Sequence, residues 1–229
     1  MPYKFVLIIC ALSFCACKDK QAKVPKVEQV QKETTDLMKS STNIAKKVIL
    51  CFGNSLTAGY GLDEQEAWPN LLQKRLDSLK FDYTVVNAGL SGETTSGGLN
   101  RIDWVLKQKV DVFILELGAN DMLRGLSVEE TEKNLNGIIA KLKIKFPDIP
   151  IVIAGMLAPP NMGEEYSKGF NKIFQKIATK NGAGFIPFLL ESVAGIEALN
   201  LADGKHPNAE GQKIVLENVW TSISSMLKK

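Results

Sequence analysis

The chain has 229 residues, 45% of them hydrophobic and 23% charged, which is room for one large domain and excludes a largely disordered chain. Its net charge of +3 is unevenly placed: residues 18–47 hold eight lysines against four acids, whereas residues 48–229 carry 19 basic and 21 acidic side chains. A near-neutral, slightly acidic body argues against nucleic acid as a partner. With a single histidine, His206, and one cysteine beyond residue 17, Cys51, no zinc site of the usual kind can be assembled, and no metal or other cofactor is expected.

Lys4 precedes an apolar run, Phe5 to Phe14, too short to span a membrane but of the length of a secretory hydrophobic segment. The run ends at Cys15-Ala16-Cys17, ahead of Lys18-Asp19-Lys20. A cysteine after a small residue at this point resembles a bacterial lipobox with Cys17 as the lipidated residue, although Phe14 stands where that pattern has an aliphatic one. The other reading is ordinary cleavage before Cys17, which leaves a free thiol. Residues 18–46, rich in Lys, Gln, Glu, Val, Thr and Ser, read as a solvated tether. The expected organisation is a signal segment (1–17), a tether (18–46) and a folded domain (47–229). An anchor on Cys17 implies an exported, periplasmic or cell-envelope lipoprotein of a bacterium, held at a membrane. A monomer is expected, because no exposed apolar helix is left unassigned.

From Lys47 on, short β-branched runs alternate with longer amphipathic ones. Strands are predicted at Val48–Phe52, Tyr83–Asn87, Val112–Leu117, Ile151–Ala154 and Gly184–Phe188, and helices at 65–80, 96–109, 127–145, 163–181 and 207–227. The runs Val48–Phe52 and Val112–Leu115 are continuously apolar, as strands buried on both faces are. Cys51 lies inside the first and reads as a small buried hydrophobe. Leu99, Ile102, Val105 and Leu106 form one helical stripe, and Ser127 with Glu130 opens a capping box. Five βα units imply an open parallel sheet with helices on both faces, and ligands sit beyond the carboxyl ends of such strands.

Four segments at that edge carry polar residues that packing does not require. Gly53-Asn54-Ser55-Leu56-Thr57-Ala58-Gly59-Tyr60-Gly61 follows the first strand. It reads equally as a glycine-rich turn capped by Ser55 and as a strand-to-helix turn that exposes a serine nucleophile. It lacks the second glycine of the G-x-S-x-G elbow and the lysine of a P-loop. Asn87-Ala88-Gly89-Leu90-Ser91-Gly92 follows the second strand and reads as an ordinary loop or a nest of backbone N–H groups. Leu117-Gly118-Ala119-Asn120-Asp121 follows the third, where Asn120 reads as turn chemistry or as an amide donor over the same edge. Asp203-Gly204-Lys205-His206-Pro207 precedes the last helix, and its spacing lets a carboxylate reach the imidazole and fix its tautomer.

In this order and at these spacings the four segments resemble the GDSL or SGNH hydrolase family, named for its Ser, Gly, Asn and His, and its bacterial branch of secreted lysophospholipase, acyl-thioesterase and arylesterase enzymes in particular. Ala67-Trp68-Pro69 and Glu116-Leu117-Gly118-Ala119-Asn120-Asp121-Met122-Leu123-Arg124-Gly125 add to the likeness, which covers residues 47–225. The resemblance implies a flavodoxin-like three-layer α/β/α sandwich around a five-stranded parallel sheet. It makes Ser55 the nucleophile, His206 the general base and Asp203 its orienting carboxylate. The oxyanion hole it implies uses the backbone N–H of Ser55, the backbone N–H of Gly92 and the Asn120 side chain. Asn54 stands where the family name has Asp; it removes a negative charge beside the serine and adds donors, with a modest effect on rate expected.

The activity so implied is hydrolysis of a small acyl ester or thioester. Met122–Leu126 and Met156–Met162 follow the third and fourth strands, where they either line an acyl groove or only cap the core. Arg124 reads as a solvated loop residue or a contact for an anionic headgroup. The alternatives are a carbohydrate O-acetylesterase of the same fold and a catalytically idle surface lipoprotein that binds lipids or glycans.

Overall fold

A computed structural model describes residues 46–229. The expected signal segment, Cys17 and all but the last residue of the tether lie outside the described residues. In chain order the domain comprises β1 (Lys47–Gly53), α1 (Ser55–Ala58), α2 (Trp68–Ser78), β2 (Tyr83–Gly89), α3 (Thr95–Val105) and β3 (Val112–Glu116). It continues with α4 (Ala119–Leu123), α5 (Val128–Lys145), β4 (Ile151–Ala154), α6 (Glu164–Asn181), β5 (Gly184–Ile186) and α7 (Ala209–Ile223).

All five predicted strands and all five predicted helices are present; β4 has the predicted bounds and the others have shifted ends. β5 stops at Ile186 because Pro187 has no N–H to extend the ladder. Helix starts follow side-chain caps: Ser127 Oγ accepts the Glu130 N–H at 3.1 Å, and the Thr94 hydroxyl accepts the Gly97 N–H at 3.3 Å. The short helices α1 and α4 were not expected, since four or five residues are too few to show a helical period.

The strands pair in the order β2-β1-β3-β4-β5, all parallel. Side chains alternate across the sheet, as the two-residue strand period requires. Leu50, Phe52, Phe113, Leu115 and Ile153 pack under α3, α5 and α6 on one face. Ile49, Cys51, Val112, Ile114 and Val152 pack under α2 and α7 on the other. Cys51 is fully buried among them, and burial pushes its thiol pKa well up, so it packs as the small hydrophobe expected. The layers are therefore α/β/α.

Register positions the site. Gly53 lies opposite Gly89 on β2 and Glu116 on β3, so three segments leave the carboxyl edge at one level. The chain leaves β1 toward β2 on one side and later returns to place β3 on the other. That reversal opens a crevice at the end of β1.

Candidate active site

β1 runs straight into a capped turn. The Asn54 side-chain Oδ1 accepts the Leu56 N–H at 2.9 Å and starts α1. Gly53 is required by close approach: a Cβ there would lie 2.2 Å from Thr57 Oγ1 and 2.5 Å from a Glu116 carboxyl oxygen. Ser55 is thereby held at the first position of α1, with its side chain turned toward the crevice.

His206 comes from the other end of the chain. Asn200 and Pro207 form an antiparallel bridge, the Leu201 N–H donates to the His206 carbonyl at 2.7 Å, and Asn208 caps α7 by accepting the Glu210 and Gly211 N–H groups. Buried Asn200 fastens the loop by donating to the carbonyls of Val193 and Ile196. Within this frame Ser55 Oγ and His206 Nε2 are 2.8 Å apart, and His206 Nδ1 is 2.5 Å from Asp203 Oδ2. With the imidazole proton on Nδ1 and donated to Asp203, Nε2 is left to accept from the serine hydroxyl. The Tyr60 ring lies against the imidazole, centroids 4.6 Å apart.

Asp203 also accepts the N–H groups of Lys205 and His206, at 2.9 and 3.0 Å. Its bond from the imidazole, with these two, holds its pKa down at about 2. An acid held below its unfolded value, about 4, contributes stability that is complete above that value and is lost as pH falls toward about 2. The thermal midpoint of Asp203→Asn is therefore expected to close on that of the parent chain between about pH 4 and pH 2. Parallel acid dependence of the two in calorimetry contradicts this.

Gly118 carries a φ of +128° at the start of α4, a conformation that suits glycine, and a Cβ there would press Phe174 at 3.1 Å. It turns β3 so that Asn120 faces Ser55 across the crevice. One Asn120 amide hydrogen donates to the Glu93 carbonyl at 2.9 Å, which leaves the second for a ligand. The N–H groups of Ser55 and Gly92 donate to no protein acceptor among the described residues.

Beneath Gly92 the Glu93 carboxylate is nearly buried and pairs with Arg101 Nε and Nη2, each at 2.5 Å. Arg101 Nη2 also donates to the Ala88 carbonyl at 2.8 Å, and its guanidinium covers Phe52. Arg124 is exposed, as the solvated-loop reading has it, and lies outside the cleft lining; its Nη2 donates to the Gly92 carbonyl at 2.8 Å.

Ser55, Asn120 and His206 line one cleft of about 530 Å³ with Asn54; Asp203 stands behind His206, and Gly92 lies at the side, outside the lining. The far wall is apolar, formed by Met122, Leu123, Met156, Leu157 and Phe188 among others. Met122 and Met156 belong to the core and also line the cleft, so they do more than cap the core.

Sequence reasoning assigned no role to three buried or nearly buried acids, Glu93, Glu116 and Asp121. Asp121 accepts the Thr95 N–H and hydroxyl at 2.9 and 2.5 Å, tying α4 to α3. For Glu116 a signal existed, since it is the one charged residue in the apolar run Val112–Leu117. A charge at the end of a strand buried on both faces calls for a partner.

A hydroxyl, an imidazole and a carboxylate in series, beside unspent N–H donors at the edge of a parallel sheet, define a serine-hydrolase type of site. Residues 51–214 match the model of the GDSL-like lipase/acylhydrolase family. The chain is 36% identical to esterase TesA of Pseudomonas aeruginosa over 184 residues, which are 80% of this chain and 90% of that protein. It is 35% identical to thioesterase 1/protease 1/lysophospholipase L1 of Escherichia coli K12 over 174 residues, 76% of this chain and 81% of that one. Among solved structures it is 42% identical to AlinE4, an SGNH-hydrolase family esterase, with a TM-score of 0.66 over 80% of this chain and 98% of AlinE4. This chain belongs to the GDSL-like lipase/acylhydrolase family.

Proposed function

We propose that the protein is a serine esterase that hydrolyses acyl esters and thioesters through an acyl-enzyme. The 2.8 Å contact between Ser55 Oγ and His206 Nε2, backed by Asp203, carries the reading. His206 takes the serine proton as Oγ attacks the acyl carbon, because a neutral hydroxyl is a poor nucleophile. Asp203 keeps the imidazole in the required tautomer and steadies the imidazolium. The developing oxyanion is received by the N–H groups of Ser55 and Gly92 and by the Asn120 amide. The imidazolium then protonates the leaving alcohol or thiol. Water, activated by the same histidine, attacks the acyl-enzyme and releases the acid.

The apolar wall suits the acyl chain and favours the lipid or thioester substrates over short acyl groups on sugars. Residues 47–229 form the hydrolase domain in this reading. Residues 1–46 serve to export it and to anchor it at a membrane through Cys17. A series of 4-nitrophenyl esters from acetyl to decanoyl tests the substrate class. kcat/KM is expected to peak at hexanoyl or longer, whereas a peak at acetyl favours the carbohydrate esterase. Equal and feeble rates in the parent chain and Ser55→Ala favour the idle binding protein.

A further inference from the structure

Directly behind the serine lies a carboxyl group that takes no part in the proton transfers. Glu116 closes β3 and is fully buried. Three donors converge on it from the nucleophile turn: the Asn54 N–H at 3.0 Å, the Asn54 side-chain Nδ2 at 2.7 Å and the Thr57 hydroxyl at 2.7 Å. Burial raises its pKa, and the three donors pull the other way. The orientation of the Asn54 amide is fixed from both sides, since Oδ1 accepts the Leu56 N–H while Nδ2 faces Glu116. An aspartate at position 54 would turn a carboxyl oxygen toward Glu116 at that same short range, and the two acids would have to share a proton.

We propose that Glu116 is a positioning residue for Ser55: its buried carboxyl and the Asn54 amide form one acceptor–donor unit that fixes the backbone of the nucleophile turn. The asparagine in place of the family's aspartate is the donor half of that unit. It spares the site a second buried acid. Ser55 sits between the two residues that Glu116 holds, so loosening the unit displaces Oγ from His206 and the Ser55 N–H from the oxyanion. Misplacement by about 1 Å is enough to cost roughly a hundredfold in rate. Because the unit needs one carboxyl and one amide, exchanging them between positions 54 and 116 preserves it.

The inference rests on the reading of Ser55 as nucleophile, and the test separates the two. Hydrolysis of 4-nitrophenyl hexanoate by the full chain is measured at pH 9, where an acid at 116 ionises more readily, for the parent, Ser55→Ala, Glu116→Gln, Asn54→Asp and the exchange variant Asn54→Asp/Glu116→Gln. Glu116→Gln is expected to lose at least about thirtyfold in kcat with KM within about threefold of the parent. Adding Asn54→Asp to it is expected to restore at least about tenfold, which simple loss of stability does not produce. An exchange variant no faster than Glu116→Gln, or a Glu116→Gln as fast as the parent, overturns the proposal. If Glu116→Gln yields no folded protein, Thr57→Val removes a single donor, and a kcat unchanged from the parent overturns it equally. Full activity in Ser55→Ala instead overturns the esterase mechanism itself.

Discussion

Alanine at Ser55 or at His206 is expected to lower kcat/KM for an acyl ester by at least about a thousandfold, and the double replacement to cost little more than either alone. Without Oγ no acyl-enzyme forms. Without Nε2 at 2.8 Å the hydroxyl keeps its proton and the leaving group receives none. Because the pair acts as one nucleophile, the losses do not add. Both side chains sit at the cleft rather than in either core cluster, so the thermal midpoint of Ser55→Ala is expected near that of the parent chain, and that of His206→Ala lower only by what the imidazole bond to Asp203 contributes. Steady-state kinetics beside calorimetry checks both halves. A loss of activity that tracks a fall in the midpoint contradicts the catalytic assignment.

Asn120→Ala is expected to lower kcat by about a hundredfold to a thousandfold while KM changes little, the range found when one oxyanion donor is removed. Its free amide hydrogen meets charge that exists only as the tetrahedral intermediate forms, so substrate binding should not register the loss. Asn120 also holds the Glu93 carbonyl at 2.9 Å, and part of the effect will come from a loosened Gly92 loop. Affinity for a transition-state analogue checks that the loss, by either route, falls on the oxyanion rather than on the bound substrate. An alkylboronic acid, which reproduces the tetrahedral geometry, should bind Asn120→Ala more weakly by about the factor lost in kcat. A KM that rises while kcat holds assigns Asn120 to ground-state binding instead.

The sheet was legible because β1 and β3 contain the unbroken apolar runs Val48–Phe52 and Val112–Leu115, and the helices because their stripes and caps are local. The four polar segments were legible as a set, since chain order alone brings them to one sheet edge. The contact of Asp203 with His206 was legible from its spacing; the contacts behind these segments, between distant parts of the chain, were not. Glu116 reaches Asn54 across 62 positions, and Arg101 reaches Glu93 and Ala88 from a helix face that looks merely amphipathic. Such pairings depend on strand register, which the hydrophobic pattern fixes only to within the choice of face. The amide at position 54 illustrates the difference. In the sequence it is a departure from a motif, whereas in the fold it is the donor that a buried acid requires.

The serine mechanism is tested most directly by intact-mass analysis and peptide mapping of the full chain after exposure to a 4-nitrophenyl alkylphosphonate, which leaves a stable tetrahedral adduct on an activated nucleophile. One adduct per chain is expected, on the peptide that contains Ser55, with none on Ser55→Ala and markedly slower labelling of His206→Ala. An adduct on another residue, or ester hydrolysis that continues with Ser55 unlabelled, contradicts it.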